Sequence, residues 1–337
     1  MKTSVRKTSA SSIRAAAELL RAGGLVVFPT ETVYGLGARA FDPAAVRRIF
    51  RVKERPADNP LIVHVADEKQ LARVVRRVPP LARRLMNAFW PGPLTLILEK
   101  APDVPPAVTA GQRTVAVRMP DHPAALSLLR TLGEPIAAPS ANRSGRPSPT
   151  TAAHALKDLR GRVAVILDGG PCRNGLESAI VDARGRRPVL LRPGAITAAA
   201  ITNRAGIPVA APGRDSPAAP GARRRHYAPS CRVILVAPAL LRRGRVTGLG
   251  LPGSGLVHRS PWKGRRPAFA RRLRGAVAAY ARGLFSALRD AESAGASTLF
   301  VETVPDRGVG RAVMDRLRRA ALLLESPDGR TRGLGLG

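Results

Sequence analysis

A chain of 337 residues with 45% hydrophobic content exceeds the usual size of one hydrophobic core and predicts a soluble globular protein of two domains. No apolar run approaches the roughly 18 residues that span a bilayer, and Met1 to Ala10 is basic and polar without a secretory apolar stretch, so the expected location is cytoplasmic with no membrane partner. The net charge of +33 suits phosphates, nucleic acid or acidic lipid, yet with only seven lysines among 56 basic residues it equally suits a skewed coding composition.

In chain order, Ile13, Ala16, Ala17 and Leu20 fall at helical spacing across 12–22, and a buried strand follows at 25–28. That strand runs into Pro29, Thr30, Glu31, Thr32 and Tyr34 and then Gly35 and Gly37, more polar chemistry than a strand exit needs. Helical patterns at 43–52, 68–78, 79–89, 122–132 and 150–159 interleave with strands at 61–65, 94–99, 114–118, 136–140, 163–167, 178–182 and 189–192. The alternation predicts an α/β domain ending near residue 197. Residues 204–230 hold five prolines and three glycines without periodicity and read as a linker. Beyond it, VILVAP, a helix over 270–290 with Leu273, Val277, Tyr280, Leu284 and Leu288 on one stripe, the strand STLFVET and a helix over about 311–325 predict a smaller α/β unit. Between 214 and 289 that part carries 17 Lys or Arg against one acidic residue, and the terminal GLGLG reads as a frayed tail.

Cys172 and Cys231 stand far apart, and the histidines at 64, 122, 154, 226 and 258 show no paired spacing, so neither a disulfide framework nor a protein-bound transition metal is expected. A period of two places Thr114, Ala116 and Arg118 on one face of a strand, and Ile136, Ala138 and Ser140 on one face of another, with Asn142 beyond. Leu61, Val63 and Val65 share a face, opposite Ile62 and His64. Polar groups therefore recur at strand ends, the rim where α/β sheets bind ligands. Taken singly, Arg118 also fits a structural ion pair and His64 a half-buried histidine bonded to backbone.

In KERPADNP, Pro56 and Pro60 stiffen a loop that presents Lys53, Arg55 and Asn59, chemistry suited to phosphate, although a solvated basic turn is the common alternative. In SANRSGRPSPT, Ser140, Asn142, Ser144, Ser148 and Thr150 alternate with turn residues and offer hydroxyls and N–H groups to an anion, while Ser148 or Thr150 could cap the next helix. Arginine and hydroxyls without paired acids suit an anionic ligand. The formal GxGxxG at Gly248, Gly250 and Gly253 is set aside because Pro252 and Gly255 oppose a helix there, and neither a GxxxxGK[ST] loop nor a GxSxG elbow occurs.

Together, PTETVYGLG, the KxRP of Lys53 and Arg55, FWPGPLTL at 89–96, RMPDHP at 118–123, APSAN at 138–142 and LRPG at 191–194 resemble the YrdC-like domain of threonylcarbamoyl-AMP synthases over roughly residues 10–200. RHYAP at 225–229, ARGLFSALR and MDRLRRAA resemble the linker and C-terminal domain of the two-domain form, with Met314 standing where an asparagine is usual before Asp315. The resemblance implies a YrdC-like twisted mixed sheet at 10–200, a linker and active-site lid at 201–230, and a smaller Rossmann-like α/β domain at 231–335. It implies synthesis of threonylcarbamoyl-adenylate from L-threonine, bicarbonate or CO2, and ATP with Mg2+, for tRNA modification beside the anticodon. Downstream partners are then tRNA or threonylcarbamoyl-transferase proteins, with double-stranded RNA binding. Residue by residue it implies a threonine pocket of Thr32, His64, Arg118, the Ala138 backbone and Ser178. The ATP set is Lys53, Arg55, Asn59, Thr114, Ser140, Asn142, Ser148 and Arg192, with Lys53, Arg55, Ser140 and Asn142 at the chemistry and Tyr227 in the lid. Two other readings stay open: a non-catalytic RNA-binding module, and the carbamoyl-transfer domain of hydrogenase maturation proteins, which carries zinc-finger cysteines that two lone cysteines do not match.

Overall fold

The computed structural model describes residues 2–214, 216–221 and 226–321. The first unit runs β1 (Ser4–Lys7), α1 (Ala10–Arg21), β2 (Val26–Phe28), β3 (Gly35–Arg39), α2 (Pro43–Lys53), β4 (Ile62–His64), α3 (Glu68–Val74), α4 (Pro80–Phe89), β5 (Leu94–Glu99), α5 (Pro106–Thr109), β6 (Thr114–Arg118), α6 (Pro123–Leu132), β7 (Ile136–Ala138), α7 (Ala152–Leu159), β8 (Val165–Asp168), β9 (Ala179–Asp182), β10 (Val189–Arg192) and α8 (Ala198–Ala205). Its strands form one mixed sheet in the order β1-β8-β2-β3-β7-β4-β6-β5-β9-β10.

The helices begin where the local chemistry permits. Ser9 closes a capping box on α1, and Asp42 accepts from Ala44 N and Ala45 N ahead of Pro43. At α7 the cap is Thr151, which accepts from His154 N; it is neither Ser148 nor Thr150, the expected candidates. The helix expected over 68–78 stops at Val74 because Val75 turns extended and bridges to Lys100. Two strands escape the hydrophobic pattern. β1 is an exposed edge held to β8 by backbone pairing, and β3 carries Gly35 and Gly37 where strand formers would stand. A Cβ at Gly37 would lie 2.7 Å from Ile136 and 2.8 Å from Phe28, so the glycine lets β2, β3 and β7 close together. Leu61, Val63 and Val65 do share one face in the main core, opposite Ile62. Helix α8, unforeseen in the sequence, seats Ile201 and Ala205 in the main core.

The second unit comprises β11 (Arg232–Val236), α9 (Pro238–Arg243), β12 (Ser254–His258), β13 (Phe269–Arg272), α10 (Val277–Ser293), β14 (Thr298–Glu302) and α11 (Val309–Ala321). Its sheet is entirely parallel, in the order β11-β14-β12-β13. The helix expected from residue 270 starts at Val277, because 269–272 pair as the exposed edge strand β13. Residues 322–325 of the last expected helix, and the GLGLG tail, lie outside the described residues. The two units interlock through shared core and buried polar contacts. Val33, Leu176 and Tyr227 pack into the second core beside Leu284 and Phe285, and Arg289 of α10 pairs with Asp158 of α7 at 2.7 Å. Among the described residues no helix is long and apolar enough to cross a membrane.

Candidate active site

Register brings the strand ends together. β4 and β6 run parallel with His64 beside Arg118, and β7 runs antiparallel to β4 with Ile136 beside His64. Across the sheet, β2 and β3 are joined by residues 29–34. Thr30 folds that loop: its Oγ1 donates to Val33 O at 2.7 Å and accepts from Thr32 N and Val33 N. The fold turns Glu31 and Thr32 onto Arg118. One arginine nitrogen lies 2.5 Å from Glu31 Oε1, a second donates to Thr32 Oγ1 at 2.8 Å, and Nε donates to Gly92 O at 3.1 Å. The expectation of arginine without a paired acid is thereby corrected: Glu31, 2% exposed, is the partner of Arg118.

Nine residues expected at the site face one cavity of about 60 Å³: Thr32, Arg55, His64, Arg118, Ala138, Ser140, Ser178, Arg192 and Tyr227. Five others do not line it. Lys53 and Asn142 stand immediately behind Ser140. Lys53 Nζ donates to Ser140 O at 2.6 Å and to Asn142 O, and Ser140 Oγ donates to Asn142 Oδ1 at 2.5 Å. Asn142 Nδ2 completes the turn by donating to Arg143 O and Arg146 O. Asn59 Oδ1 accepts from Gly221 N of the linker at 3.3 Å, and Ser148 Oγ donates to the Glu177 carboxylate. Thr114 opens β6 at the end away from Arg118, on the face whose Ala116 packs against linker residue Ala219.

The cavity also gathers residues that sequence reasoning passed over, notably Glu177, His226 and Gly221. Glu177 takes a hydrogen bond from Ser148 and an ion pair at 3.1 Å from Arg316 of α11, so both units meet at its carboxylate. Nothing in the local sequence marks it, because its partners come from distant segments. Over the cavity the linker is packed down. Arg192 donates to Pro220 O at 3.0 Å, and a Cβ at Gly221 would meet the Tyr227 hydroxyl at 3.0 Å. Tyr227 takes a left-handed backbone, φ +64°. Its ring stacks on Phe285 at 5.5 Å with the Arg316 guanidinium 5.5 Å from its centre, contacts that hold an otherwise costly conformation.

The electrostatics are lopsided. Burial, helped by Arg55, holds the Lys53 ammonium well below its usual range, and burial likewise lowers Arg192. Burial and the Arg55, Lys53 and Arg192 charges lower His226 to about 3, and burial with Arg118 lowers His64 to about 3, so both rings are neutral near pH 7. Burial also works against the Arg316 charge, but Tyr227, Glu177 and Asp315 outweigh it and hold the guanidinium above its usual range. Among the described residues, Arg192 donates to Ser178 O, Ser178 Oγ and Pro220 O, and Lys53 to two carbonyls. Their hydrogen-bond acceptors are neutral and carboxylates act on them only through space, Asp158 on Lys53 and Glu177 and Asp315 on Arg192, which leaves burial dominant; an anionic ligand would offset that penalty.

Residues 18–194 match the Sua5, YciO and YrdC family, described as "Telomere recombination", and residues 195–322 match the family described as "Threonylcarbamoyl-AMP synthase, C-terminal domain". The threonylcarbamoyl-AMP synthase of Pyrococcus abyssi is 45% identical over 326 residues, spanning 92% of this chain and 94% of that protein. This chain belongs to the threonylcarbamoyl-AMP synthase family. The synthase of Bacillus subtilis is 44% identical over 330 residues, 93% of this chain and 94% of its own. Among solved structures, P. abyssi Sua5 complexed with L-threonine is similar at a TM-score of 0.85 and 42% identity, covering 95% of this chain and 98% of that one. Membership of the threonylcarbamoyl-AMP synthase family extends over both units, and the matched C-terminal domain sets the hydrogenase-maturation reading aside.

Proposed function

We propose that this cavity joins L-threonine, bicarbonate or CO2, and ATP into threonylcarbamoyl-adenylate, releasing pyrophosphate and water. The observation that carries the reading is the pair of buried cations whose charge burial disfavours, Arg192 in the wall of the pocket and Lys53 directly behind its Ser140, together with Arg118 and a ring of hydroxyls. Bicarbonate takes up a proton and loses the water to give CO2 (from CO2 itself no water forms), the threonine amine adds to CO2 with loss of a proton, a carbamate oxygen attacks the α-phosphorus, and the bond to pyrophosphate breaks. Such a transfer needs placement and charge neutralisation more than a protein nucleophile.

Arg118, Thr32, His64, Ser178 and the Ala138 backbone receive the amino acid, with Arg118 against its carboxylate and the neutral His64 adding no competing charge. Lys53, Arg55, Ser140 and Asn142 surround the reacting phosphates, while Asn59, Thr114, Ser148 and Arg192 complete the nucleotide set. Residues 10–200 act as the catalytic domain, 201–230 as the linker carrying the Tyr227 lid, and 231–335 as the C-terminal domain. A cavity of about 60 Å³ holds roughly four to six water-sized groups. That volume suits an amino-acid side chain, so a triphosphate enters only after the linker lifts. Among the described residues no three His, Cys, Asp or Glu side chains could share a metal, and Glu31 and Glu177 are engaged by arginine. Mg2+ would therefore ride on the phosphate oxygens of ATP and supply charge neutralisation there. The product would pass, in the cytoplasm, to proteins that load threonylcarbamoyl onto a tRNA adenosine.

Pyrophosphate release measured with ATP, threonine and bicarbonate, each omitted in turn, tests the reading. Dependence on all three supports it, and release without threonine would overturn it.

A further inference from the structure

One side chain in the loop of residues 29–34 carries a charge that the local fold does not need. Arg118 stands in the cavity wall and is aimed by two neutral acceptors, Thr32 Oγ1 at 2.8 Å and Gly92 O at 3.1 Å. A neutral acceptor at its remaining nitrogen would complete that aim. The place is held instead by the Glu31 carboxylate at 2.5 Å, which is 2% exposed and does not itself line the cavity. Among the described residues neither Glu31 oxygen takes a hydrogen bond, so the Arg118 charge is its support. A carboxylate buried on those terms costs stability that a glutamine of the same shape would not.

The charge of Glu31 is matched by that of Arg118 and by little else. Burial outweighs Glu31 at His122 and lowers that ring from its ordinary 6.5, while burial with Glu31 pushes the Cys172 thiol up to about 12, so both groups are neutral near pH 7. His64, beside Arg118 on the sheet, is neutral as well. Glu31 and Arg118 therefore cancel one another as an isolated pair. The rest of the wall is different, because Arg55 and Arg192 stand in it while its Glu177 is spent on Arg316. One cavity thus combines a charge-balanced portion at Arg118 with a cationic portion at Arg55 and Arg192.

We propose that Glu31 determines specificity: its charge cancels that of Arg118, so that this part of the cavity accepts a zwitterionic amino acid and turns away carboxylates without an ammonium group. The proposal deepens the adenylate reading and rests on its assignment of Arg118 to the amino-acid carboxylate. Discrimination matters there because a hydroxy acid seated on Arg118 has no nitrogen to take up CO2 and would block the site. At ~6 Å and an effective dielectric constant of about 20, a unit charge shifts the affinity of an ion by roughly tenfold to a hundredfold. A zwitterion feels less, since its two charges are acted on in opposite senses.

The test uses three ligands of one shape and different charge, titrated calorimetrically into the full chain at about pH 6.5. They are L-threonine, the cation L-threoninamide, and the anion 2,3-dihydroxybutanoate of matching stereochemistry, with hydroxyl in place of amine. Glu31→Gln should tighten the anion by about tenfold, weaken the cation by about tenfold and move threonine less than either. Glu31→Asp keeps the charge and should keep the order of affinities of the unaltered protein. A structural role alone shifts all ligands the same way, so an anion that weakens along with threonine in Glu31→Gln overturns the proposal. In the unaltered protein threonine should bind at least about tenfold more tightly than dihydroxybutanoate, and equal affinities overturn the proposal without any variant. Failure of the unaltered protein to bind threonine undoes the adenylate reading together with this one. Threonine binding with a common shift in Glu31→Gln undoes this one alone.

Discussion

Arg118, the proposed partner of the threonine carboxylate, is held in place by Glu31 at 2.5 Å, Thr32 at 2.8 Å and Gly92 at 3.1 Å. Fixing the guanidinium in advance spares the entropy of ordering a long side chain at the moment of binding. Arg118→Ala should raise the threonine KM by about tenfold to a hundredfold, the equivalent of one charge-assisted pair. Steady-state pyrophosphate release against threonine concentration reads it, and an unchanged KM would remove Arg118 from the amino-acid pocket. A second residue-scale prediction concerns acid. His64 and His226 titrate near 3 in the folded chain against 6.5 ordinarily. Between those values the unfolded chain binds more protons, so stability is full above about pH 6.5 and falls as pH drops, by up to about 1.4 kcal/mol per unit for each ring. The melting midpoint should be lower at pH 5 than at pH 7, and His226→Gln should flatten the drop. An equal drop in the variant would mean that His226 is already charged. Sequence reading reached Arg118 and His64 because strand alternation marks them. It saw Glu31 but gave it no partner, since the contact depends on how residues 29–34 fold back.

Among the elements, those that bury one stripe were legible: α1, α2, α4, α6 and α7 each carry apolar residues at helical spacing and lie close to the expected ranges. Strands β1 and β13 were not, because edge strands pair through backbone and need no buried alternate side chains. β3 was hidden for the opposite reason, since a crowded interior demands glycine there. Gly37→Ala should therefore lower stability by about 1–3 kcal/mol through overpacking against Ile136 and Phe28. Gly185→Ala, with no atom within 4 Å of the added Cβ, should leave the melting temperature nearly unchanged. Equal melting temperatures for the two variants would show that β3 can move aside.

The whole molecule depends on a buried seam between its units. Asp158 and Arg289 are 0% and 2% exposed and pair at 2.7 Å, with Arg289 also donating to Pro147 O. Asp158→Ala leaves that guanidinium buried without its carboxylate and should cost about 3–5 kcal/mol. Because Pro147 belongs to the loop that begins at Ser140, the ATP KM should rise more than the threonine KM; a threonine-selective loss would show that the seam steers the other substrate. This seam was invisible in the sequence, since Asp158 and Arg289 lie 131 residues apart on helices whose patterns announce only their apolar faces.

The cavity under the linker also dictates a schedule. On the proposed lid role, with Pro220, Gly221 and Tyr227 over the cavity, the linker would have to swing open for every adenylate made. Turnover would then inherit the tempo of that hinge, and thickening the solvent would slow the catalyst even where bond making is fast.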